Sequence, residues 1–280
     1  MKKILKSIIK KFSKLFILFL NKLNAGRYFT DELVKNILIK KQKVKHKGLQ
    51  LEFYTPNRLN YYRVSTFSTK EPETLEWIDN FKKDSVFWDI GANIGLYTCY
   101  AVKKTNAKAY SFEPSVFNLE LLSKNIFLNA ISDKVVVVSF PLNENLSIQP
   151  FYMSSTEWGG ALSTFGKNIG HDGKAMNSIF QQKTVGMSID NCIDILNFEK
   201  PNYIKIDVDG IEHLILKGAT NTLKNAESIL IEVNDNFKEQ AKNIEKYLLS
   251  AGFKLIQKKY STIKEQSKLF SSHHNQIWSR

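Results

Sequence analysis

The segment VFWDIGANIGLYTCY, residues 86–100, contains the residues that decide the fold. A run of apolar residues reaches Asp89, and two glycines follow with the spacing Gly-x-Asn-x-Gly before apolar residues resume. This pattern predicts a buried strand that ends at Asp89, a tight turn, and a helix that begins at Ile94. Gly91 lets the backbone turn sharply and approach a ligand closely, and Gly95 lets the helix pack tightly on the strand. The spacing differs from the Gly-x-Gly-x-x-Gly of dinucleotide sites, which argues against a nicotinamide cofactor.

Strands and helices alternate along the rest of the chain. The predicted strands are 85–89, 107–112, 134–139, 202–207, 227–233, 253–258 and 274–279, and the predicted helices are 94–104, 115–129, 211–218 and 237–251. This alternation predicts an α/β fold, with a parallel sheet covered by helices on both faces. Ligands of such sheets bind beyond the carboxyl ends of the strands, where the turn after Asp89 lies.

A second acid, Glu113, ends the next predicted strand in AYSFEPS, residues 109–115. An acid about 20 residues beyond the glycine turn, at the tip of the second strand, typically hydrogen-bonds the hydroxyls of a ribose. The alternative is an acid at a helix N-terminus, stabilised by the helix dipole. Because Asp89 also suits a ligand that carries positive charge, the ordered pair favours a charged nucleoside ligand.

Three motifs together carry a resemblance to a known family. FWDIGANIGLYT, FEPS and NYIKIDVDGIEHLILKGA (202–219) occur in the order found in the FkbM family of S-adenosylmethionine-dependent methyltransferases, which residues 50–280 resemble. The resemblance implies the class I methyltransferase fold, a mostly parallel, seven-stranded Rossmann-like sheet whose last strand is antiparallel. It also implies S-adenosyl-L-methionine as the cofactor.

The resemblance also implies which residues hold this cofactor. The first motif would hold its methionine end, Glu113 its ribose, and the residues after the third strand would lie near adenine. The family typically has Ala-Leu-Ser-Asp after that strand, whereas this chain has Pro-Leu-Asn-Glu. The implied cofactor-binding residues are Asp89, Gly91, Ala92, Asn93, Gly95, Glu113, Pro114, Leu142 and Asn143.

The third motif supplies the catalytic candidates Asp207, Asp209 and Glu212. Methyl transfer to oxygen requires that acceptor and donor are held in line and that one proton is managed. Asp207 ends the fourth strand, and it is the first candidate for orienting the cofactor or the acceptor; Lys205 could pair with it. Asp209 either acts at the same site or caps the following helix. Glu212 either contacts substrate or forms a structural ion pair, and His213 is expected to have a surface or packing role.

No metal is predicted, although Asp207, Asp235 and Asn236 would offer oxygen ligands that suit Mg²⁺. Asp-Asn is a common turn pair, and the family resemblance implies no metal. Residues 155–177 are irregular, polar and glycine-bearing, which indicates either a loop that selects the acceptor or a flexible insertion. Trp158 in this segment would stack on a sugar or serve in packing.

The first 48 residues differ in composition from the remainder. They contain 13 lysines and Arg27 but only two acids, so they carry nearly all of the net charge of +13. Apolar residues recur at three- and four-residue spacing up to Leu23, with lysines between them, which predicts an amphipathic helix. Its longest apolar run, Leu15 to Leu20, is too short to span a bilayer, which takes about 20 residues. We expect residues 1–23 either to lie on an anionic membrane surface or to pack on protein.

A second helix is predicted over Asp31–Lys40, with Thr30 as its N-cap, followed by a solvated linker at 40–47. These features divide the chain into a basic helical arm, 1–48, and a methyltransferase domain, 49–280. The domain is predicted to open with a β-hairpin formed by LQLEFYT (49–55) and YYRVSTF (61–67). A helix with Pro72 in its first turn follows.

Composition narrows the function. The body is nearly neutral and lacks an Asn-Pro-Pro-aromatic block, which argues against nucleic acid as the partner. Cys99 and Cys192 form no disulfide framework, which favours a reducing compartment. We predict an O-methyltransferase that acts on a sugar hydroxyl of a cell-surface glycan or glycolipid, in the cytoplasm or on the inner face of the membrane. The alternatives are a nucleic-acid methyltransferase and an inactive, membrane-associated binding module.

Overall fold

A computed structural model of the chain describes residues 2–23, 25–260 and 272–280. Its helices are α1 (Lys2–Leu20), α2 (Gly26–Leu38), α3 (Arg58–Ser65), α4 (Phe67–Lys70), α5 (Pro72–Asp79), α6 (Leu96–Thr105), α7 (Val116–Leu128), α8 (Ile189–Leu196), α9 (Glu212–Lys217) and α10 (Lys238–Ser250). Its strands are β1 (Lys41–His46), β2 (Leu49–Tyr54), β3 (Val86–Ile90), β4 (Lys108–Phe112), β5 (Val135–Val138), β6 (Ser147–Met153), β7 (Ser163–Phe165), β8 (Phe180–Gly186), β9 (Tyr203–Ile206), β10 (Ser228–Asn234), β11 (Lys254–Tyr260) and β12 (His273–Ser279).

A seven-stranded sheet forms the centre of the molecule, with the strand order β5-β4-β3-β9-β10-β12-β11. The strands from β5 to β10 pair in parallel, and β12 runs antiparallel to both β10 and β11. The order reverses at β3, so that β4 and β9 lie on either side of it. The predicted class I methyltransferase sheet, with an antiparallel last strand, is therefore confirmed.

The central strands are buried on both faces because their residues are apolar at almost every position. Trp88 and Ile90 face one core, which also contains residues of α8, α9 and α10. Phe87 faces the other core, which contains residues of α5, α6 and α7. A smaller antiparallel sheet, in the order β7-β6-β8, is inserted in the chain between β5 and α8.

Three local predictions at the N-terminal end are wrong. The second helix begins at Gly26, and Thr30 lies inside it, where its hydroxyl donates to the Arg27 carbonyl. Residues 41–46 of the predicted linker form β1, which pairs with β2 across a turn at Gly48. The predicted second hairpin strand, YYRVSTF, lies in α3 and α4 instead. Whether the arm and the body divide at residue 48 stays a prediction, although the β1–β2 hairpin crosses it.

The amphipathic helix is formed, and its apolar stripe is exposed rather than packed on the body. Phe12, for example, is 68% exposed, and the other large apolar side chains of α1 except Leu20, with those on the outer face of α2, are also exposed. The exposed residues of this stripe are Ile4, Leu5, Ile8, Ile9, Phe12, Leu15, Phe16, Ile17, Leu18, Phe19, Tyr28, Phe29, Leu33, Val34 and Ile37. In the described part of the chain, no helix is both long and apolar enough to cross a bilayer.

Candidate active site

A cavity of about 640 Å³ lies at the carboxyl ends of β3, β4, β5 and β9. The chain segments that follow these strands line it, which is where the strand pattern predicts a ligand site. All three sequence motifs contribute to its wall. The predicted site residues that line it are Gly91, Ala92, Asn93, Glu113, Pro114, Leu142, Asp207 and Asp209.

The turn after β3 has the conformation that its glycines predict. The atoms that leave no room for a side chain at these glycines belong to other parts of the protein. Gly91 has φ +87°, and a side-chain carbon there would overlap the carbonyl oxygen of Asp207. Gly95 has φ +82°, and a side-chain carbon would lie 2.6 Å from Leu122 Cδ1, so α6 packs closely on α7 here. Gly91 is therefore required by the contact between two strand ends, whatever ligand the turn holds.

Asp89 lies beneath the cavity instead of lining it. Its Oδ2 accepts a hydrogen bond from Thr98 Oγ1 at 2.6 Å, and its Oδ1 has no hydrogen-bond partner within the described ranges. Burial raises the pKa of its carboxyl, while the nearby Lys205 opposes that rise. The carboxylate thus ties β3 to the start of α6, and direct contact with a cofactor stays a prediction.

Glu113 lies at the N-terminal end of α7, as one of the two interpretations requires, and contact with a ribose stays a prediction. Its Oε1 accepts from the backbone N–H of Ser115 at 2.8 Å, at the start of α7, and its Oε2 accepts from that of Asn93 at 2.9 Å. Burial raises its pKa to about 7, against these hydrogen bonds. The carboxylate therefore links the two turns while it still lines the cavity. Leu142 lines the cavity as well, but Asn143 turns away, and its side chain accepts from the Glu144 N–H.

Lys205 and Asp207 form the expected pair, with Nζ and Oδ2 2.9 Å apart. Lys205 is only 1% exposed; burial opposes its charge, but Asp207, Asp89 and Glu71 raise its pKa to about 12. The Asp207 side chain is 28% exposed, so it remains accessible from the cavity.

The N-cap alternative for Asp209 is wrong. Helix α9 begins at Glu212, and the Asp209 carboxylate instead accepts from the Leu162 N–H at 2.7 Å. Asp209 has φ +64°, and its pKa is raised first by burial and then by Asp207.

Glu212 does not line the cavity. Its carboxylate accepts from the N–H groups of Val208 and Gly210 and from the Gln240 side chain, and burial raises its pKa to about 7. It therefore shapes the turn that carries Asp207. His213 is buried, with its ring 5.7 Å from that of Phe237, in the packing role expected for it.

Glu71, Tyr97 and Glu232 are among the cavity-lining residues that were not found from the sequence. The Tyr97 hydroxyl donates to Glu71 Oε2 at 2.8 Å, and Lys205 Nζ lies 5.2 Å from the centre of the Tyr97 ring. Ile231 of β10 is paired in register with Ile206 of β9. The next residues of the two strands, Glu232 and Asp207, therefore lie beside each other. Glu232 could have been found from the sequence, because it is the lone acid in the apolar run ILIEVN. Glu71 lies before a helix and is not surrounded by apolar residues, so nothing in the sequence marks it.

Residues 154–165, here called the strap, cross the cavity and supply part of its lining. Side chains from distant segments bind the strap backbone: Asn57 and Asn60 donate to the Trp158 carbonyl, Arg63 donates to that of Gly159, and Asn93 and Asn118 donate to that of Gly160. Only the first part of the predicted segment 155–177, up to Phe165, lines the cavity, and its role in selecting the acceptor stays a prediction. Trp158 packs against the core, which fits the packing alternative.

The two acids considered as Mg²⁺ ligands contact different partners. Asp235 bonds with Lys258 and with the Tyr260 hydroxyl, whereas Asp207 pairs with Lys205. Within residues 2–23, 25–260 and 272–280, no group of three or more histidine, cysteine or acidic side chains is placed to hold a metal ion.

Comparisons with known proteins give consistent matches. The family model described as "Methyltransferase FkbM domain" matches residues 89–255. Hexuronic acid methyltransferase AglP of Haloferax volcanii is 29% identical over 157 residues, which are 56% of this chain and 59% of AglP. Methyltransferase sdnD of Sordaria araneosa is 27% identical over 194 residues, 60% of this chain and 75% of sdnD. The crystal structure of methyltransferase FkbM from Methylobacillus flagellatus KT aligns with a TM-score of 0.49 at 16% identity, covering 72% of this chain and 44% of that one. The chain thus spans less than two thirds of AglP and of the M. flagellatus protein.

Proposed function

Because the chain belongs to the methyltransferase FkbM domain family, we propose that it is an S-adenosylmethionine-dependent O-methyltransferase whose acceptor is a sugar hydroxyl of a glycan or glycolipid. The observation that carries the proposal is that the turn after β3, Glu113 and Asp207 all line the same cavity. The similarity to AglP, a hexuronic acid methyltransferase, supports a sugar as the acceptor.

The chemistry of the cavity fits this cofactor, which joins an amino acid, a ribose and an adenine. Glu71, Asp207 and Glu232 line one end, and their charges suit an ammonium group. Glu113 lines the same cavity, and a carboxylate at the end of the second strand supports contact with ribose hydroxyls. Phe112, Leu142, Phe151 and Phe165 line an apolar part that suits adenine. Asn93 Oδ1 is a buried acceptor without a hydrogen-bond partner among the described residues, and a ligand donor would satisfy it.

When bound, the cofactor supplies an electrophilic methyl group. The protein's task is then to align the acceptor hydroxyl, to keep water out and to manage the hydroxyl proton. We assign the alignment to Asp207, because its carboxylate is accessible from the cavity, whereas the Asp209 carboxylate accepts from the Leu162 N–H of the strap. Asp209 would hold the strap, and Glu212 would position the turn that carries Asp207. Both are therefore positioning residues in this proposal.

The arm supports a location at a membrane surface. An exposed apolar stripe beside a lysine-rich face is the pattern of a helix that lies in the interface of an anionic bilayer. We propose that residues 1–23 make this contact on the cytoplasmic side, where an acceptor that is built on a lipid would be presented.

Calorimetry with S-adenosylmethionine tests cofactor binding. Glu113→Ala removes a cavity carboxylate and should weaken binding at least about tenfold, the effect of one charge-assisted hydrogen bond. Glu120→Ala is the matched control, because Glu120 lies on the exposed side of α7 and pairs with Lys124. A folded parent that binds no cofactor would show an inactive binding module.

A methyl-transfer screen then tests the acceptor class. Labelled cofactor is offered with oligosaccharides, glycolipids and RNA, and we expect label in the glycans alone. Label in RNA alone would overturn the sugar assignment but leave the cofactor assignment in place.

A further inference from the structure

A second, open cavity of about 470 Å³ lies where the arm joins the body. Lys40 and Lys41 line it from the start of β1, and Arg58 lines it from the first turn of α3. Its remaining polar lining comes from Thr55, Asn57 and Tyr61, so none of the described residues that line it is acidic. Three cations in a described lining that contains no acid are the charge pattern of an anion site.

The chain at Lys40 and Lys41 is held by contacts with β2. The Thr55 N–H donates to the Lys40 carbonyl at 2.7 Å, which extends the β1–β2 ladder by one residue. Lys41 is paired in register with Tyr54, and its Nζ lies 5.0 Å from the centre of that ring. Within the described ranges, neither lysine nor Arg58 forms an ion pair. Their charges are therefore available to a ligand.

The surroundings indicate what kind of molecule carries the anion. The cavity begins two residues after α2, whose exposed apolar side chains include Phe29, Leu33 and Ile37. Ile39, directly before Lys40, is exposed as well. An anion bound here would lie at the edge of this apolar surface, which is the arrangement of a lipid head group beside its acyl chains.

We propose that Lys40, Lys41 and Arg58 form a binding site for the phosphate group of a membrane lipid. A phosphate carries up to about two negative charges and accepts the planar, two-pronged hydrogen bonds that a guanidinium offers. The site lies on one side of α3, while Leu59, Tyr62 and Arg63 on the other side line the active-site cavity. Asn57 connects the two, because its side chain also donates to the strap at Trp158. Lipid phosphate binding would thus hold the mouth of the active site at the membrane surface.

The proposal rests on the proposed membrane contact, and its test uses the full chain without cofactor. The probes are inorganic phosphate, measured by calorimetry, and phosphatidylcholine vesicles with and without phosphatidic acid, measured by co-sedimentation. The test variant is Lys40→Gln with Arg58→Gln. The control is Lys43→Gln with Lys45→Gln, which removes equal charge from exposed positions of the same hairpin outside the cavity.

We expect the test variant to bind both phosphate and phosphatidic acid vesicles about tenfold more weakly, and the control to stay within about twofold of the parent. Equal losses in the two variants would overturn the site, because charge alone would then explain binding. A loss for inorganic phosphate with unchanged vesicle binding would overturn the lipid assignment in favour of a soluble phosphate ligand. Cofactor affinity of the test variant, measured separately, should equal that of the parent, so this test and that of the methyltransferase proposal fail independently.

Discussion

In most proteins large apolar side chains are buried and charged ones are exposed, and the arm and the active site depart from this distribution in opposite ways. In α1 and α2, large apolar side chains are exposed, whereas around the cavity Asp89, Glu113 and Lys205 are buried. Exposed apolar stripes mark interaction surfaces, and buried charges persist where they are paired or functional. The contrast teaches that the two regions contribute differently: the arm should matter for binding and little for folding, whereas the buried charges should matter for both.

The largest effect on stability is expected from Lys205→Met, which removes the cation among Asp207, Asp89 and Glu71. Asp89 and Asp207 then lose the counter-charge that Lys205 provides, whereas Glu71 keeps its pair with Lys70, and we expect a loss of about 3–5 kcal/mol in the free energy of unfolding. Urea denaturation measures it. Lys217→Met is the control, because Lys217 pairs with Glu144 at a position where its side chain is 55% exposed, and it should change stability little. Equal effects would mean that the buried pair does not stabilise the fold.

The next largest effect is expected from Gly91→Ala. The added carbon would overlap the Asp207 carbonyl at a backbone φ of +87°, and we expect a loss of roughly 2–4 kcal/mol in the free energy of unfolding. Gly48→Ala is matched to it, because Gly48 has φ +82° but no atom within 4 Å of the added carbon. It should lose only about 1 kcal/mol. If the two variants are equally stable, the two strand ends are not in the close contact described here.

Asp207→Asn tests the active site itself, because it keeps the shape of the side chain and removes its charge. Losing one charge-assisted interaction of about 1.5–3 kcal/mol should lower kcat/KM by roughly 10- to 150-fold. Stability should fall less than in Lys205→Met, because Asp89 and Glu71 still offset the charge of Lys205. Asp209→Asn retains an oxygen that can accept from the Leu162 N–H, so it should lower kcat/KM less. Near-parent activity of Asp207→Asn, or a loss explained by unfolding, would refute the role of Asp207.

The central strands were predicted well from the sequence because burial on both faces restricts their residues to apolar ones. Strands β3, β9 and β10 are buried on both faces, so their apolar runs stop where the chain leaves the sheet. Asp89, Glu113 and Asp207 mark or follow those ends, which is why the motifs located the cavity. The strand β1 was missed because only its inner face is shielded: Lys41, Lys43 and Lys45 point outward, and KQKVKH looks like a linker.

Helix α3 was missed because aromatic and β-branched residues in YYRVSTF alternate as they do in a strand. Its start is set by Asn57, whose side chain accepts from the Asn60 N–H. The roles of Asn93 and Asp209 depend on strap residues 67 and 47 positions away in the chain. No local pattern records such contacts, so the sequence showed that these side chains belong to the site but not what they bind.

The smallest effect on stability is expected in the arm, from Phe12→Ser combined with Phe19→Ser. Both rings are exposed, so the free energy of unfolding should stay within about 0.5 kcal/mol of the parent. Binding to phosphatidic acid vesicles should fall at least about tenfold, since burying one such ring in the bilayer contributes about 1.5–3 kcal/mol. Phe127→Ser is the control: this ring is 79% exposed on α7, outside the arm, and its loss should change neither quantity. A clear loss of stability in the arm variant would show that the stripe packs on protein. Unchanged stability with lost vesicle binding would separate the two regions, because exposed apolar residues would then serve the membrane and buried charges the fold and its chemistry.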